Sequence, residues 1–353
     1  MSDESVVRGR GATGNPSGRF ERLAVAIEPA EGDEPASHPT ELFRDSSKSI
    51  LTENDSPDVA MDVSINPYRG CEHGCIYCYA RPYHEYLGLS AGLDFETRIF
   101  VKENAPALLR AALTAPSWTP KVIGISGVTD PYQPVERALK LTRGCLEVLA
   151  EFRNPVAIIT KSRLVTRDID LLQTLAAHGA AEVMLSITTL DDELAGRMEP
   201  RAARPTLRLE AVRALAAAGV PVGVMVAPII PGLTDHELPA ILEAAAEAGA
   251  STAGYTILRL PHGVKDLFAD WLDVHVPDRK DKVLNRLRAM RDGQLNESTF
   301  GARMQGRGPF AESIGQLFLL HRRRLGLTRG EPLSTSAFRR SGGAQLDLFE
   351  SST

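Results

Sequence analysis

The chain has 353 residues, of which 43% are hydrophobic and 24% charged, and its formal net charge is −5. This length allows one large domain or two ordinary ones, and the near balance of charge argues against strong non-specific attraction to nucleic acid or membrane. Four cysteines in so long a chain exclude a disulfide framework. Because no signal-peptide or membrane-spanning segment is found, we expect a cytoplasmic protein without membrane contact.

The N-terminal segment, residues 1–55, is rich in Gly, Pro, Ser, Glu and Asp. Such a composition predicts a disordered or poorly ordered segment, because few apolar side chains are available to offset the entropy of ordering. At the other end, residues 333–353 are expected to form a flexible tail.

Between these ends, short β-branched apolar runs alternate with stretches of helical periodicity, about six times. This alternation predicts an α/β fold with parallel strands, a partial (β/α)6 TIM-like barrel over residues 56–275, with a flat doubly wound sheet as the alternative. In either fold, a ligand site belongs at the carboxyl ends of the strands. The six predicted strands are 61–66, 121–126, 155–160, 182–188, 220–227 and 252–258.

The alternation stops near residue 276. Two amphipathic helices, 278–293 and 309–327, predict a mainly helical C-terminal extension over residues 276–332. We expect these helices to cover one mouth of the barrel or to form a small module.

Three of the four cysteines lie in the stretch NPYRGCEHGCIYCYARP, in a C-x3-C-x2-C pattern: Cys71, Cys75 and Cys78. The Pro and Gly residues around them predict a loop after the first strand of the barrel. Thiolates are soft ligands that suit zinc or an iron–sulfur cluster. A cluster held by three cysteines leaves one iron without a protein ligand, and this open position is suited to a substrate or cofactor.

A structural zinc site is the alternative interpretation, with His73 or His84 as the fourth ligand. A second cysteine pair, which zinc motifs commonly have, is missing from the sequence. The fourth cysteine, Cys145, lies on a predicted helix in step with apolar residues, and we expect it to be a core residue.

The cysteine pattern resembles that of the radical S-adenosylmethionine (SAM) enzymes, in which C-x3-C-x2-C follows the first strand of a partial barrel and an aromatic residue precedes the third cysteine. Tyr77 occupies that place. The resemblance implies a 4Fe-4S cluster and SAM as cofactors, with a reductant such as flavodoxin or ferredoxin as partner. In that family, one electron splits SAM into methionine and a 5′-deoxyadenosyl radical, which removes hydrogen from a substrate.

Polar residues follow the later strands, where SAM would be held. Candidate cofactor-binding residues are Ser126, Thr129, Asp130, Lys161, Ser186 and Tyr77. This layout resembles the spore-photoproduct-lyase-like branch of the family, which includes uncharacterised bacterial members. There a TD-type turn, a lysine and a serine hold SAM, and the matching positions here are Ser126 or Thr129, Lys161 and Ser186. Glu199, Arg201 and Arg208 are expected near the same rim, with a solvated position as the alternative for Arg208.

One position departs from that branch. Its lyase carries a hydrogen-donating cysteine beside the TD-type turn, whereas this chain has Gly127 and Val128. Radical initiation therefore carries over from the resemblance, and the thymine-dimer substrate does not. We expect a lyase-like radical SAM enzyme whose substrate the sequence leaves open, with nucleic acid and chemistry of the DNA-repair kind as one candidate. A non-catalytic zinc or iron–sulfur adaptor and an iron–sulfur electron carrier indifferent to SAM are the alternatives.

Two further features remain open. The tail motif QLDLF, Gln345–Phe349, resembles the segment by which bacterial DNA repair proteins bind the sliding clamp, although it could instead pack on the barrel. The tyrosines near the cysteines could stack on a base or adenine, or could pack around the cluster: Tyr77, Tyr79, Tyr83 and Tyr86.

Overall fold

The computed structural model describes residues 9–20, 38–59 and 61–340. Its strands are, in chain order, β1 (Glu41–Arg44), β2 (Leu51–Glu53), β3 (Val63–Ile65), β4 (Tyr68–Arg69), β5 (Arg98–Val101), β6 (Ile123–Ile125), β7 (Val156–Thr160), β8 (Ala181–Ser186), β9 (Val222–Ile229) and β10 (Thr252–Ile257). Seven of these strands form the central sheet, in the order β10-β9-β8-β7-β6-β3-β2.

The α-helices of the described residues are α1 (Leu93–Thr97), α2 (Ala105–Thr114), α3 (Glu136–Leu139), α4 (Leu141–Phe152), α5 (Ile169–Ala176), α6 (Asp192–Met198), α7 (Pro205–Ala217), α8 (Leu238–Glu247), α9 (Val264–His275), α10 (Pro277–Ala289), α11 (Ala302–Gln305) and α12 (Gly308–Arg324). Short 3₁₀ helices span Arg81–Leu87, Arg163–Asp168 and Asp235–Glu237. Gly179 and Gly219 follow α5 and α7 with φ angles of 64° and 72°, as expected of glycines that end helices.

The central sheet confirms the predicted partial barrel. Six of its strands, β3, β6, β7, β8, β9 and β10, are parallel, and neighbours in the sheet follow one another in chain order. A doubly wound sheet would instead reverse this order at a switch point. β2 pairs antiparallel with β3 and adds a seventh strand at one edge. All six predicted strands are present. Their carboxyl ends therefore lie at one mouth of the sheet, where the loop after β3 also lies.

The prediction of a poorly ordered N-terminal segment is wrong for residues 9–20 and 38–55. β1 pairs in parallel with β5, and β4 completes this second sheet. Residues 9–20 contact α1 through hydrogen bonds, among them Leu93 N to Gly14 O at 3.1 Å and the Gly11 amide to Glu96 Oε2 at 2.9 Å. Composition missed this order because distant parts of the chain supply the hydrogen-bond partners, so local apolar content is not required.

The helices at the C-terminal end of the chain pack against two different parts of the barrel. α9 and α10 pack with Ile76 and Tyr77 in one hydrophobic cluster, and α12 joins the main core through Phe318, whose ring centroid lies 4.6 Å from that of Tyr255. Among the described residues, no helix is both long and apolar enough to cross a membrane.

Residues 328–340 run along the amino ends of the strands, so the prediction of a flexible tail is wrong for 333–340. The Ser334 amide donates to Gly179 O (2.8 Å) and the Arg339 amide to Phe152 O (2.9 Å). Phe338 stacks near Phe152 with ring centroids 6.2 Å apart. The half-buried ring of Phe338 and these backbone hydrogen bonds hold residues 328–340 in place. The motif Gln345–Phe349 lies outside the described residues.

Candidate metal and cofactor site

The cysteine loop, residues 70–80, lies at the carboxyl end of the barrel. Cys71 and Cys75 are buried and Cys78 is half-buried. The Gly74 amide donates to Cys71 O (3.3 Å) and the Cys78 amide to Cys75 O (3.1 Å), so each thiol begins or ends a tight turn. These turns gather the three predicted ligands in one short loop.

Burial raises the pKa of all three thiols. The neighbouring charge of Asp130 adds to this for Cys71, and that of Glu199 does so for Cys75. A thiol must lose its proton to bind a metal, so a buried thiol of raised pKa needs a cation beside it to stabilise the thiolate. The loop is therefore suited to bind metal with release of protons.

The candidate cluster ligands are the three loop thiols, because the other candidate donors are engaged elsewhere. Cys145 lies fully buried in the main core on α4, in a different hydrophobic cluster from the loop thiols, as predicted for a core residue. His73 Nδ1 lies 3.3 Å from Asp130 Oδ2, and His84 packs edge-on against Phe95. The two histidines of the zinc interpretation thus have other neighbours. Among the described residues, no three His, Cys, Asp or Glu side chains are placed to enclose one metal ion.

A buried carboxylate, Glu199, lies beside the loop and binds three polar groups. It accepts hydrogen bonds from the Tyr77 hydroxyl, from Thr188 Oγ1 (2.8 Å) and from the Arg208 guanidinium. Burial would raise the pKa of Glu199, but the charges of Arg208 and Lys161 and the hydrogen bonds from Arg208 and Tyr77 together outweigh burial and lower that pKa to about 2. Glu199 is therefore ionised at neutral pH within a nearly dry site.

Arg208 is 1% exposed, so the solvated alternative for this residue is wrong. Besides Glu199 it donates to Ser186 O at 2.8 Å, at the end of β8. A buried guanidinium requires such partners because an unpaired charge in the interior is costly.

Lys161 follows β7, and its ammonium lies beside Glu199 and Tyr77. Its Nζ donates to Ala227 O (3.0 Å), lies 3.7 Å from Glu199 Oε1, and sits 5.8 Å from the centroid of the Tyr77 ring. The side chain is 13% exposed, which leaves a face open toward the mouth. Lys161 and Tyr77, two of the predicted cofactor-binding residues, are thus neighbours next to Cys75.

Asp130 is held by the protein itself. Its Oδ1 accepts from Thr160 Oγ1 (2.7 Å) and from the Tyr132 amide (2.9 Å), and its Oδ2 accepts from the Lys161 amide (2.8 Å). Burial would raise the pKa of Asp130, but the facing His73 and these donors lower it to about 2. Asp130 therefore connects the cysteine loop to the end of β7.

The remaining predicted residues differ in how freely they could meet a ligand. Thr129 is buried, donates to Gly70 O (2.7 Å) and accepts from Gln133 Nε2 (2.9 Å), so it anchors the base of the cysteine loop. Ser126 is half-buried directly after β6. Ser186 is buried as the last residue of β8. Ser126 and Ser186 therefore lie at the same mouth as Lys161.

A buried ion pair that the sequence analysis missed supports the loop from the other side. Arg81 donates to Glu96 Oε1 (2.5 Å), to Cys75 O (2.9 Å) and to Gly74 O (3.2 Å). Glu96 also accepts from the amides of Gly11 (2.9 Å) and Ala12 (2.8 Å). A Cβ on Gly11 would collide with the carbonyl oxygen of Gly74, so only glycine allows this close approach.

Little in the sequence marks these supporting residues. The spacing between Arg81 and Glu96 in the sequence fits no helical or strand repeat, and the two side chains meet only because the chain folds back. The one usable signal was the RGRG run at residues 8–11, whose glycines suit close backbone packing.

Comparison with known proteins agrees with this geometry. The profile of the Radical SAM superfamily matches residues 65–245, just over half of the chain. An uncharacterised protein of Mycobacterium tuberculosis is 39% identical over 211 residues, which is 59% of this chain and 62% of the relative. The chain thus spans less than two thirds of the length of this relative. A protein of Pseudomonas phage M6, named a radical SAM Nα-GlyT isomerase, is 27% identical over 177 residues, which is 50% of this chain and 35% of the phage protein.

Among solved structures, spore photoproduct lyase complexed with dinucleoside spore photoproduct has the same fold. The TM-score is 0.57 at 16% sequence identity, over 82% of this chain and 81% of the lyase chain. Three loop thiols follow the first barrel strand, the parallel sheet is sequential, and the family profile covers residues 65–245. The chain therefore belongs to the radical SAM superfamily, whose cofactors are a 4Fe-4S cluster and SAM.

Proposed function

We propose that this protein is a radical SAM enzyme whose substrate is a nucleic acid, modified by chemistry of the lyase kind. The observation that carries the proposal is the placement of Cys75 next to Lys161, Tyr77 and the ionised Glu199. These contacts support the proposal of a metal-binding loop beside a cationic, partly exposed binding wall at one mouth of the barrel.

The chain's residues have separable parts in this proposal. Cys71, Cys75 and Cys78 hold the cluster, and when reduced and bound to SAM it supplies a 5′-deoxyadenosyl radical. Lys161 binds the SAM carboxylate, because its ammonium is held by only one carbonyl and lies near a single carboxylate. Ser126 and Ser186 contribute hydroxyl groups at neighbouring strand ends. Thr129 and Asp130 position the loop instead, because their oxygens already have protein partners.

Tyr77 is proposed to exclude water beneath Lys161 and to fix Glu199, since its hydroxyl binds that carboxylate. A dry wall favours the contact between Lys161 and a carboxylate, because electrostatic interactions strengthen when water is absent.

The nucleic-acid substrate is supported by the kinds of protein this chain resembles. The lyase of the same fold is complexed with a dinucleoside, and the phage relative is named for an Nα-GlyT isomerase. Gly127 stands where the lyase has its hydrogen-donating cysteine, and Cys145 lies in the core. We therefore propose a reaction in which no cysteine at that position donates hydrogen to the product radical, unlike photoproduct repair. A flavodoxin or ferredoxin is the proposed reductant. Docking of Gln345–Phe349 on a sliding clamp is the proposed means of placing the enzyme at DNA.

The test is anaerobic reconstitution with iron and sulfide, followed by dithionite, SAM and a uniformly deuterated oligonucleotide. We expect 5′-deoxyadenosine that carries deuterium from the oligonucleotide. Formation of 5′-deoxyadenosine without deuterium would retain the enzyme and reject this substrate. A reducible cluster indifferent to SAM would indicate an electron carrier, and a colourless zinc protein would indicate the adaptor.

A further inference from the structure

We propose that Arg259, at the carboxyl end of β10, binds a phosphodiester of the substrate next to the cysteine loop; the inference rests on the proposed nucleic-acid function and adds the site for the substrate backbone. Arg259 lies two residues beyond the last residue of β10. Its guanidinium carbon is 5.4 Å from the ring centroid of Tyr79, the residue that follows Cys78. The guanidinium therefore lies at the mouth that holds the thiols.

The guanidinium of Arg259 is incompletely satisfied by the protein. Its Nε is buried and has no hydrogen-bond partner within the described residues. Its Nη1 donates only to the Met304 sulfur, at 3.6 Å, and a thioether is a weak acceptor. A buried donor left without a partner is destabilising. An arginine kept in this state at the mouth of a barrel is suited to a ligand that supplies the acceptor.

Two more arginines make the surroundings cationic. Arg291 is 2% exposed and its Nε also lacks a partner among the described residues, while Arg303 pairs with Asp58. Burial and the charge of Arg303 lower the pKa of Arg259, and burial with the charge of Arg259 lowers that of Arg291 to about 10. These directions indicate an excess of positive charge, which a bound anion would relieve.

The three arginines lie near two carboxylates, Asp58 and Glu297. Asp58 is engaged by Arg303 and by the Gly301 amide (2.6 Å). Glu297 accepts from the Thr299 amide (2.8 Å). Neither carboxylate provides a hydrogen-bond acceptor for Arg259 Nε.

The neighbouring aromatic rings favour a nucleic-acid backbone over a small anion. Tyr79, Tyr83 and Tyr86 are 43%, 53% and 67% exposed, and the Tyr83 and Tyr86 centroids are 6.4 Å apart. Phe20 extends the row, 5.4 Å from Tyr86, and the Arg19 guanidinium lies 5.2 Å from the Phe20 centroid. Exposed rings interleaved with guanidinium groups are typical of surfaces that bind single-stranded nucleic acid by stacking and phosphate contact.

The experiment is fluorescence anisotropy with a fluorescein-labelled single-stranded oligothymidylate, using the reconstituted holoprotein without reductant. We expect Arg259→Gln to weaken binding about tenfold and to lower the slope of log affinity against log salt by about one. The matched control is Arg288→Gln, which removes the same charge from an exposed position on α10. Arg259→Lys keeps the charge and the stem, and we expect it to retain the salt slope with weaker binding, because the planar fork is lost.

Wild-type affinity for the oligonucleotide in both Arg259 variants would overturn the inference. A loss of affinity in Arg288→Gln equal to that in Arg259→Gln would overturn it too, because it would indicate an effect of net charge alone. Should Arg259→Gln fail to fold, as judged by circular dichroism and cluster absorbance, Arg259→Lys decides the question by itself. Wild-type protein that binds no oligonucleotide yet forms 5′-deoxyadenosine would reject the nucleic-acid substrate together with this inference. Loss of binding in Arg259→Gln with retained cluster absorbance, together with deuterium transfer from the oligonucleotide in the wild type, supports both.

Discussion

The ammonium of Lys161 and the carboxylate of Glu199 lie 3.7 Å apart, beside the ring of Tyr77. Glu199 is engaged more closely by Arg208 and Tyr77 than by Lys161, so removal of the lysine leaves the carboxylate with other partners. Lys161 can therefore be changed with less effect on the fold than Glu199.

We expect Lys161→Ala to weaken SAM binding while the cluster spectrum stays unchanged. Loss of a charge-assisted hydrogen bond costs about 1.5–3 kcal/mol, which corresponds to about a ten- to hundredfold rise in the dissociation constant. Equilibrium dialysis with labelled SAM measures it. Lys265→Ala on the exposed face of α9 is the control. Unchanged SAM affinity in Lys161→Ala would remove this residue from the site.

Cys75→Ala should abolish the brown colour, the bound iron and SAM cleavage, because two thiols cannot hold the cluster. The matched variant is Cys145→Ala, which changes the same residue type in the main core. It should keep iron and cleavage and lose only some stability, through the small cavity it leaves. Iron analysis and chromatography of 5′-deoxyadenosine check both. Retained cleavage in Cys75→Ala would refute the ligand assignment.

Glu96→Gln should release residues 9–20 from the cysteine loop. The amide removes the charge that faces Arg81 and one acceptor for the Gly11 and Ala12 amides. Breaking such a buried pair costs about 3–5 kcal/mol. Limited proteolysis and hydrogen exchange of residues 9–20 measure the release. Glu103→Gln, at an exposed pair with Arg44, should cost less than about 1 kcal/mol. Equal protection of residues 9–20 in both variants would contradict the assignment.

The stability of the protein should fall between pH 7 and pH 5 because of His84. Burial lowers the pKa of His84 to about 4 from 6.5, so the unfolded chain binds a proton that the folded chain does not. Stability contributed in this way is complete above pH 6.5 and is lost as the pH falls toward 4. The loss at pH 5 is about 2 kcal/mol.

His84→Phe should remove that pH dependence, since the ring already packs among Phe95 and Phe100. Chemical unfolding at pH 7 and pH 5 provides the comparison, with His236→Phe at an exposed position as control. An equal fall in stability in the wild type and in His84→Phe would assign the effect to other groups.

The strands of the barrel could be predicted because their signals are local. Each predicted run spans six to eight residues rich in apolar side chains, and most are followed by a helical period, as at Val156–Thr160 and α5. The cysteine ligands were predictable for the same reason, since all lie within one loop. Glu199 was placed near the rim, yet its pairing with the buried Arg208 was not foreseen, because periodicity does not show which charge enters the core. β1 and residues 9–20 were missed because their partners lie more than fifty positions away.

Deletion of residues 341–353 should abolish binding to a purified sliding clamp in a pull-down, if Gln345–Phe349 is the docking segment. Substitution of Leu348 and Phe349 by alanine should have the same effect, because these are the proposed apolar anchors. SAM cleavage should be unchanged in both variants. Clamp binding that survives the deletion would reject the motif.

The path of residues 328–340 has a consequence for orientation. Arg340 donates to Trp118 O (2.9 Å), just before β6, at the end of the barrel remote from the thiols. Arg340 therefore lies at the back of the molecule, opposite the mouth that holds the thiols. A partner or affinity surface that contacted the protein around Arg340 and Trp118 would leave the reactive opening uncovered.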